Sequence, residues 1–216
     1  MLSMIILAAG KSSRMRGKNK LLSEIDGKPM IRRVVEAALN SKVDEVLVVL
    51  GWKAERVRKV LGDLPCRFVL NKEYEKGQSS SVRAALSAVG DPTQAILVLP
   101  GDVALIDQRS INLVIEAYNN HGSPIVVASH KGIHGHPILL SRETFEDIAR
   151  IDEATYGLKS VVQKHQNEIQ VVEVGTEDIL LDVDTPEDLQ RIRKPRGKHG
   201  SRGRSSARGA VQRRRT

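Results

Sequence analysis

Met4-Ile5-Ile6-Leu7-Ala8-Ala9-Gly10-Lys11-Ser12-Ser13-Arg14-Met15, followed after a short gap by Asn19-Lys20-Leu21-Leu22, decides how this chain is read. The four apolar residues that open it have the composition of a strand buried on both faces, as in a parallel sheet. A chain that leaves such a strand through Ala8, Ala9 and Gly10 brings its backbone N–H groups close to whatever binds there. Ser12, Arg14 and Lys20 then supply a hydroxyl and two cations, which suits a polyphosphate. The expected contacts are Leu7, Ala8, Ala9, Gly10 and Ser12 for binding, with Arg14 and Lys20 bearing the charge of the reacting phosphates.

Two other phosphate loops are excluded by spacing. A Walker A loop needs a glycine five residues before its Gly-Lys-Ser/Thr. Ile5 stands there relative to Gly10-Lys11-Ser12, and Gly17-Lys18 runs into Asn19. The dinucleotide fingerprint fails because its second and third glycines are replaced by Ser12 and Met15.

Outward from this loop, apolar runs alternate with amphipathic stretches, which predicts βαβ units and a largely parallel sheet between helix layers. Ile31, Val34, Val35 and Ala38 recur at helical spacing after Met30. Strands are expected at 46–50, 66–70, 95–99, 125–128, 136–140 (Pro137 at its start), 169–174 and 179–181. Further helices are expected at 54–61, from the serines to Val89 with one serine as cap, at 110–120, 142–148 and 158–165, and from Pro186 with Thr185 as cap.

Three acidic or polar stations complete the candidate site. Asp102 follows Gly101 where the 95–99 strand ends, the edge at which doubly wound sheets bind ligands. A carboxylate there suits Mg²⁺, which takes few protein oxygens and shares phosphate oxygens. Asp182 and Asp184 in an extended Asp-Val-Asp project to one face and are candidate metal ligands, while Thr185, Glu187 and Asp188 suit a helix start. Gly77, Ser79 and Ser80, at a helix start, and Asn71, for the base or ribose, are candidate nucleotide contacts.

With 216 residues the chain fits one α/β domain, expected over 1–192. Its net charge of +8 comes from the end of the chain: Arg193 to Thr216 holds ten Lys/Arg and no acid, leaving 24 basic against 26 acidic residues elsewhere. That basic stretch lacks aromatic residues and is expected to be disordered, contacting RNA or an acidic partner non-specifically at most. A single cysteine, Cys66, suits a reducing compartment. The start lacks the basic region of a signal peptide, and no apolar run is long enough to span a bilayer, so a cytoplasmic protein is expected.

In this order the motifs resemble the molybdenum-cofactor nucleotidyltransferases, a family of the Rossmann-like glycosyltransferase-A fold. The resemblance covers residues 3 to about 192. It rests on the first loop with Lys20, Gly77-Gln78-Ser79-Ser80-Ser81-Val82, Gly101-Asp102, Gly135-His136-Pro137 and Asp182-Val183-Asp184-Thr185-Pro186-Glu187-Asp188. It implies transfer of a nucleotidyl group to the terminal phosphate of molybdopterin, with Mg²⁺ and loss of pyrophosphate. Ala8-Ala9-Gly10 resembles the CTP-using branch, and a molybdoenzyme or chaperone is an implied partner. The chain departs from the family pattern at Lys18 and Ala104, both commonly proline, and before Gly157-Leu158-Lys159, where a Gly-Asp is missing. A guanylyltransferase for the same pterin, a sugar- or alcohol-phosphate nucleotidyltransferase and a non-catalytic nucleotide-binding protein with an RNA-associating tail are the alternatives.

Overall fold

The structure, a computed structural model, describes residues 1–15, 17 and 19–193. Lys18 and the basic stretch from 194 onward lie outside the described residues. In chain order the elements are β1 (Leu2–Ala8), β2 (Glu24–Ile25), β3 (Lys28–Pro29), α1 (Met30–Leu39), β4 (Glu45–Leu50), α2 (Ala54–Leu61), β5 (Arg67–Leu70), α3 (Gln78–Leu86) and β6 (Ala95–Pro100). They continue with α4 (Gln108–His121), β7 (Ile125–His130), β8 (Ile133–Ser141), α5 (Phe145–Ala149), α6 (Leu158–Lys164), β9 (Ile169–Glu173) and α7 (Pro186–Arg193).

Seven strands form one sheet in the order β5-β4-β1-β6-β8-β7-β9, while β2 and β3 make a small separate hairpin. β5, β4, β1 and β6 run parallel to one another, as do β7 and β9; β8, between these two groups, is antiparallel to both β6 and β7. Strand alternation sends Met4, Ile6, Val48, Leu97 and Leu99 to one face of the sheet, where the apolar stripes of α1, α2 and α4 cover them. Ile5, Val49, Ile96 and Val98 face the other way, onto Val82 and Ala85 of α3 and Ile148 and Val161 beyond. The expected α1 stripe, Ile31, Val34, Val35 and Ala38, is fully buried. Two covered faces explain why β1, β4 and β6 read as unbroken apolar runs.

Several sequence expectations are corrected. Residues 179–181 do not form a strand: Glu177–Leu180 is a 3₁₀ turn packed against β7 and β8. α3 stops at Leu86, leaving Val89 in the following turn, and no serine caps it. Its N-cap is Gly77, at φ 97°, a backbone region that favours glycine. Residues 142–148 divide into a 3₁₀ turn, Arg142–Thr144, and α5. Pro137 is the fifth residue of β8, after a cis peptide bond, and not its first. The missing N–H is tolerated because the β6 ladder ends at Ile138 and the β7 register shifts there. Thr185 does cap α7: its hydroxyl accepts from the Asp188 N–H at 3.2 Å, and the Asp188 carboxylate accepts from the Thr185 N–H at 2.9 Å. Among the described residues no helix is long and apolar enough to cross a membrane.

The carboxyl end of α6 is fastened to α5 by ionisable groups. His165 contacts Asp147 through Nε2 and Glu168 through Nδ1, each at 3.0 Å, and Lys164 reaches Asp147 at 2.6 Å. The Asp147 carboxylate, aided by Glu168, raises the His165 pKa above the ordinary histidine value against the pull of burial. A raised folded-state pKa means stability that is complete below the unfolded value, near 6.5, and lost as pH rises through the folded one. Urea unfolding at a series of pH values should therefore show wild-type stability falling relative to His165→Gln as the imidazole deprotonates. Parallel pH profiles for the two proteins would refute this.

Candidate active site

The edge formed by the carboxyl ends of β1 and β6 opens into a cleft of about 1210 Å³. Because β8 runs antiparallel, its amino-terminal half, with His134, Gly135 and His136, lies at the same edge. The first residues of α3 and α6 form another wall, through Gly77, Gln78, Ser79, Leu158 and Lys159.

The loop after β1 turns at Ser12, which adopts φ 51°. The Ser12 hydroxyl accepts the Lys20 N–H at 3.2 Å, folding the segment back on itself. Asn19 accepts the Leu21 N–H at 3.0 Å and so starts the short turn carrying Lys20. Among the described residues no hydrogen bond engages the backbone N–H groups of Gly10, Lys11 or Ser12. Gly51 is needed beneath this loop, since a side chain there would sit 2.8 Å from Ala9 and 2.7 Å from Tyr74.

Lys20 is the centre of the site. Its ammonium donates to Asp102 Oδ2 at 2.5 Å and to Asp184 Oδ1 at 2.9 Å, with the Lys20 and Asp102 side chains each 16% exposed. Arg14 reaches the other oxygen of Asp184 at 2.9 Å. Burial alone would lower the Lys20 pKa, but the two carboxylates outweigh it and hold the value above the ordinary one, so the group is charged. Asp184 is shifted the opposite way, chiefly by the Lys20 hydrogen bond, and stays ionised. Backbone ties fix both acids: Gly101 donates to Leu7 at 2.9 Å, and Val183 donates to the Asp102 carbonyl at 3.2 Å. Gly101 is required for the first of these approaches, because a Cβ would lie 2.9 Å from Ile31 and 3.0 Å from the Leu7 carbonyl.

The structure brings together most of the residues expected from sequence. Leu7, Ala9, Gly10, Ser12, Lys20, Gly77, Ser79, Asp102, Asp182 and Asp184 line the cleft. Arg14 joins them through Asp184. Ala8 is packed into the core under α1 instead. Asn71 and Ser80 are turned towards each other on the far side of α3. The Asn71 amide donates to Ser80 Oγ at 2.8 Å and Ser81 Oγ at 3.0 Å, and Ser80 donates on to the Gly77 carbonyl at 2.7 Å. They brace the helix start and border a separate, smaller cleft.

Two cleft residues went unassigned in the sequence. Glu153 places its carboxylate on the first turn of α3, accepting the Ser79 N–H at 2.7 Å, directly over Gly77. This acid, brought in from the turn before α6, takes the capping role expected of a serine. His136 is half-buried, with its Nδ1 shielded from solvent and unpartnered, and desolvation lowers its pKa against the influence of Asp102 and Asp182. Gly-His-Pro was a readable signal for it. Glu153 had none, because its approach to α3 is purely tertiary.

Asp102, Asp182 and Asp184 do not form a ready-made cage. Among the described residues no cluster of three or more His, Cys, Asp or Glu side chains is arranged around a common cation position. Asp102 and Asp184 nevertheless suit a divalent ion that shares its shell with phosphates. Both carboxylates contact the one Lys20 ammonium, and Asp102 Oδ1 is buried with no hydrogen-bond partner.

The chain is similar to known proteins in both sequence and fold. The bifunctional protein GlmU of Desulfotalea psychrophila is 33% identical over 121 residues, 56% of this chain and 34% of that protein. The chain spans only about a third of the length of the curated relatives it matches. Among solved structures, Rv0371c of Mycobacterium tuberculosis H37Rv superposes with a TM-score of 0.78 at 25% identity, covering 90% of this chain and 97% of that one. Its complex with manganese superposes at 0.73 with 24% identity, covering 88% and 97%. A nucleotidyl transferase from Methanothermobacter reaches 0.77 at 24% identity, covering 89% and 96%, a likeness of fold. With residues 4–169 matching its profile, the chain belongs to the family of the MobA-like NTP transferase domain.

Proposed function

We propose that the cleft binds a nucleoside triphosphate, CTP in preference, and transfers its nucleotidyl group to the terminal phosphate of a molybdopterin-type acceptor. An acceptor phosphate oxygen bonds to the α-phosphorus of the triphosphate, the bond from that phosphorus to the bridging oxygen breaks, and pyrophosphate leaves. The observation that carries this reading is the Lys20–Asp102–Asp184 cluster beside a loop whose N–H groups at Gly10, Lys11 and Ser12 have no protein partner among the described residues.

The protein's task in such a transfer is to position the groups and offset growing negative charge. Backbone N–H groups of the first loop receive phosphate oxygens, while Lys20 and Arg14 counter the charge on the leaving pyrophosphate. A divalent ion, magnesium in preference, would be held by Asp102 with Asp184 or Asp182 and would supply further charge neutralisation at the phosphates; the solved complex of Rv0371c with manganese supports a divalent ion in this fold. The acceptor is already an anion, so no general base is needed. The preference for CTP rests on the resemblance carried by Ala8-Ala9-Gly10.

Incubation with magnesium, molybdopterin and each NTP in turn should release pyrophosphate with CTP and give a cytidylyl adduct by mass. Release with GTP alone, or with no nucleotide, would overturn the assignment. Lys20→Ala and Asp102→Ala should each lower turnover by about two orders of magnitude or more while circular dichroism stays native. Near-normal turnover in either variant removes that residue from the site. Deleting residues 194–216 should leave turnover unchanged and abolish any RNA binding, whereas loss of turnover would place the basic stretch in the reaction.

A further inference from the structure

We propose that Lys20 holds the place of the divalent cation while the cleft is empty, and that entry of the ion between Asp102 and Asp184 sends the ammonium over to the phosphates. What Lys20 does after release rests on the nucleotidyl-transfer reading; the exchange itself does not.

Two carboxylates that both contact one nitrogen repel each other unless a cation lies between them. Their frames are fixed. Asp102 follows a strand end clamped by the Gly101–Leu7 hydrogen bond, and Asp184 follows Val183, which is tied to the Asp102 carbonyl. The backbone of Lys20 is fixed as well, through Ser12 and the turn that Asn19 starts. The movable party is therefore the four-carbon lysine side chain, a compact charge on a flexible stem. The ammonium is also an incomplete occupant. It brings one positive charge to two carboxylates and leaves the buried Asp102 Oδ1 without a partner. Arg14 engages the far oxygen of Asp184 and leaves the near one free for exchange.

Lys20 thus has two alternative seats, one on the acids and one on the phosphates, and the ion decides between them. The triphosphate grip is completed only after the metal has arrived. One consequence runs against the usual effect of deleting a site residue: removing Lys20 should strengthen metal binding, because a competing charge a few ångströms away is gone.

Mn²⁺ binding, read from the free-ion EPR signal with no nucleotide present, tests this. Lys20→Met should bind Mn²⁺ on the order of tenfold more tightly than wild type. Lys20→Arg, still cationic, should stay near wild type, and Asp102→Asn should lose the binding. Unchanged or weaker binding by Lys20→Met would overturn the proposal, since a merely structural lysine gives that result. A second readout uses the unaltered protein: the Lys20 side-chain nitrogen resonance should shift as Mg²⁺ saturates the site without nucleotide, and a resonance that Mg²⁺ leaves in place would equally overturn it. A protein that shows the exchange but converts no triphosphate would keep this inference and refute the nucleotidyl-transfer reading.

Discussion

One ammonium joins three distant parts of this chain. Lys20 comes from the loop after β1, Asp102 from the end of β6 and Asp184 from the approach to α7, and they meet because the sheet places β1 beside β6. The parallel register from Leu2–Ala95 to Leu7–Pro100 delivers Gly101-Asp102 next to the first loop. The Val183–Asp102 backbone contact then returns the last segment to the same edge. Ionised groups so little exposed are tolerated only when paired, so the cluster constrains all three segments together.

The rest of the cleft is neutralised on a looser footing. Lys11 pairs with Glu75 at 2.7 Å, but both side chains are more than half exposed, and such a pair contributes little in water. Arg14 is likewise 65% exposed. An incoming polyphosphate therefore takes these two cations at small cost, whereas taking Lys20 means replacing a half-buried partner held by two carboxylates. The energetic decision of the site is concentrated at one residue. At the opposite wall, Glu153 already occupies the positive end of α3, so the anion-receiving capacity of the cleft lies at the first loop.

How much of this was legible in the sequence follows the range of the interactions. Buried strands, the α1 stripe and the Thr185 cap depend on neighbours within a few residues, and the chain displays them. Gly101-Asp102 and the first loop were legible because a strand end fixes where they lie. The 179–181 segment misled because three apolar residues in a row suit a buried turn as well as a strand, and only its packing on β7 and β8 decides. The serines of α3 suggested a cap, but Ser79 and Ser80 fall within the helix, and the acceptor comes from Glu153, 74 residues on. Asn71 and Ser80 carried the right chemistry for a ligand and spend it on each other. Neither the antiparallel insertion of β8 nor the pairing of Lys20 with two acids has a local signature.

The most direct test is a crystal structure of the protein grown with CTP and magnesium. Triphosphate oxygens should lie on the N–H groups of Gly10 to Ser12, with the Lys20 ammonium moved from the carboxylates onto a phosphate and the ion against Asp102. A nucleotide bound elsewhere, or one in this cleft with Lys20 still shared between Asp102 and Asp184, would contradict it.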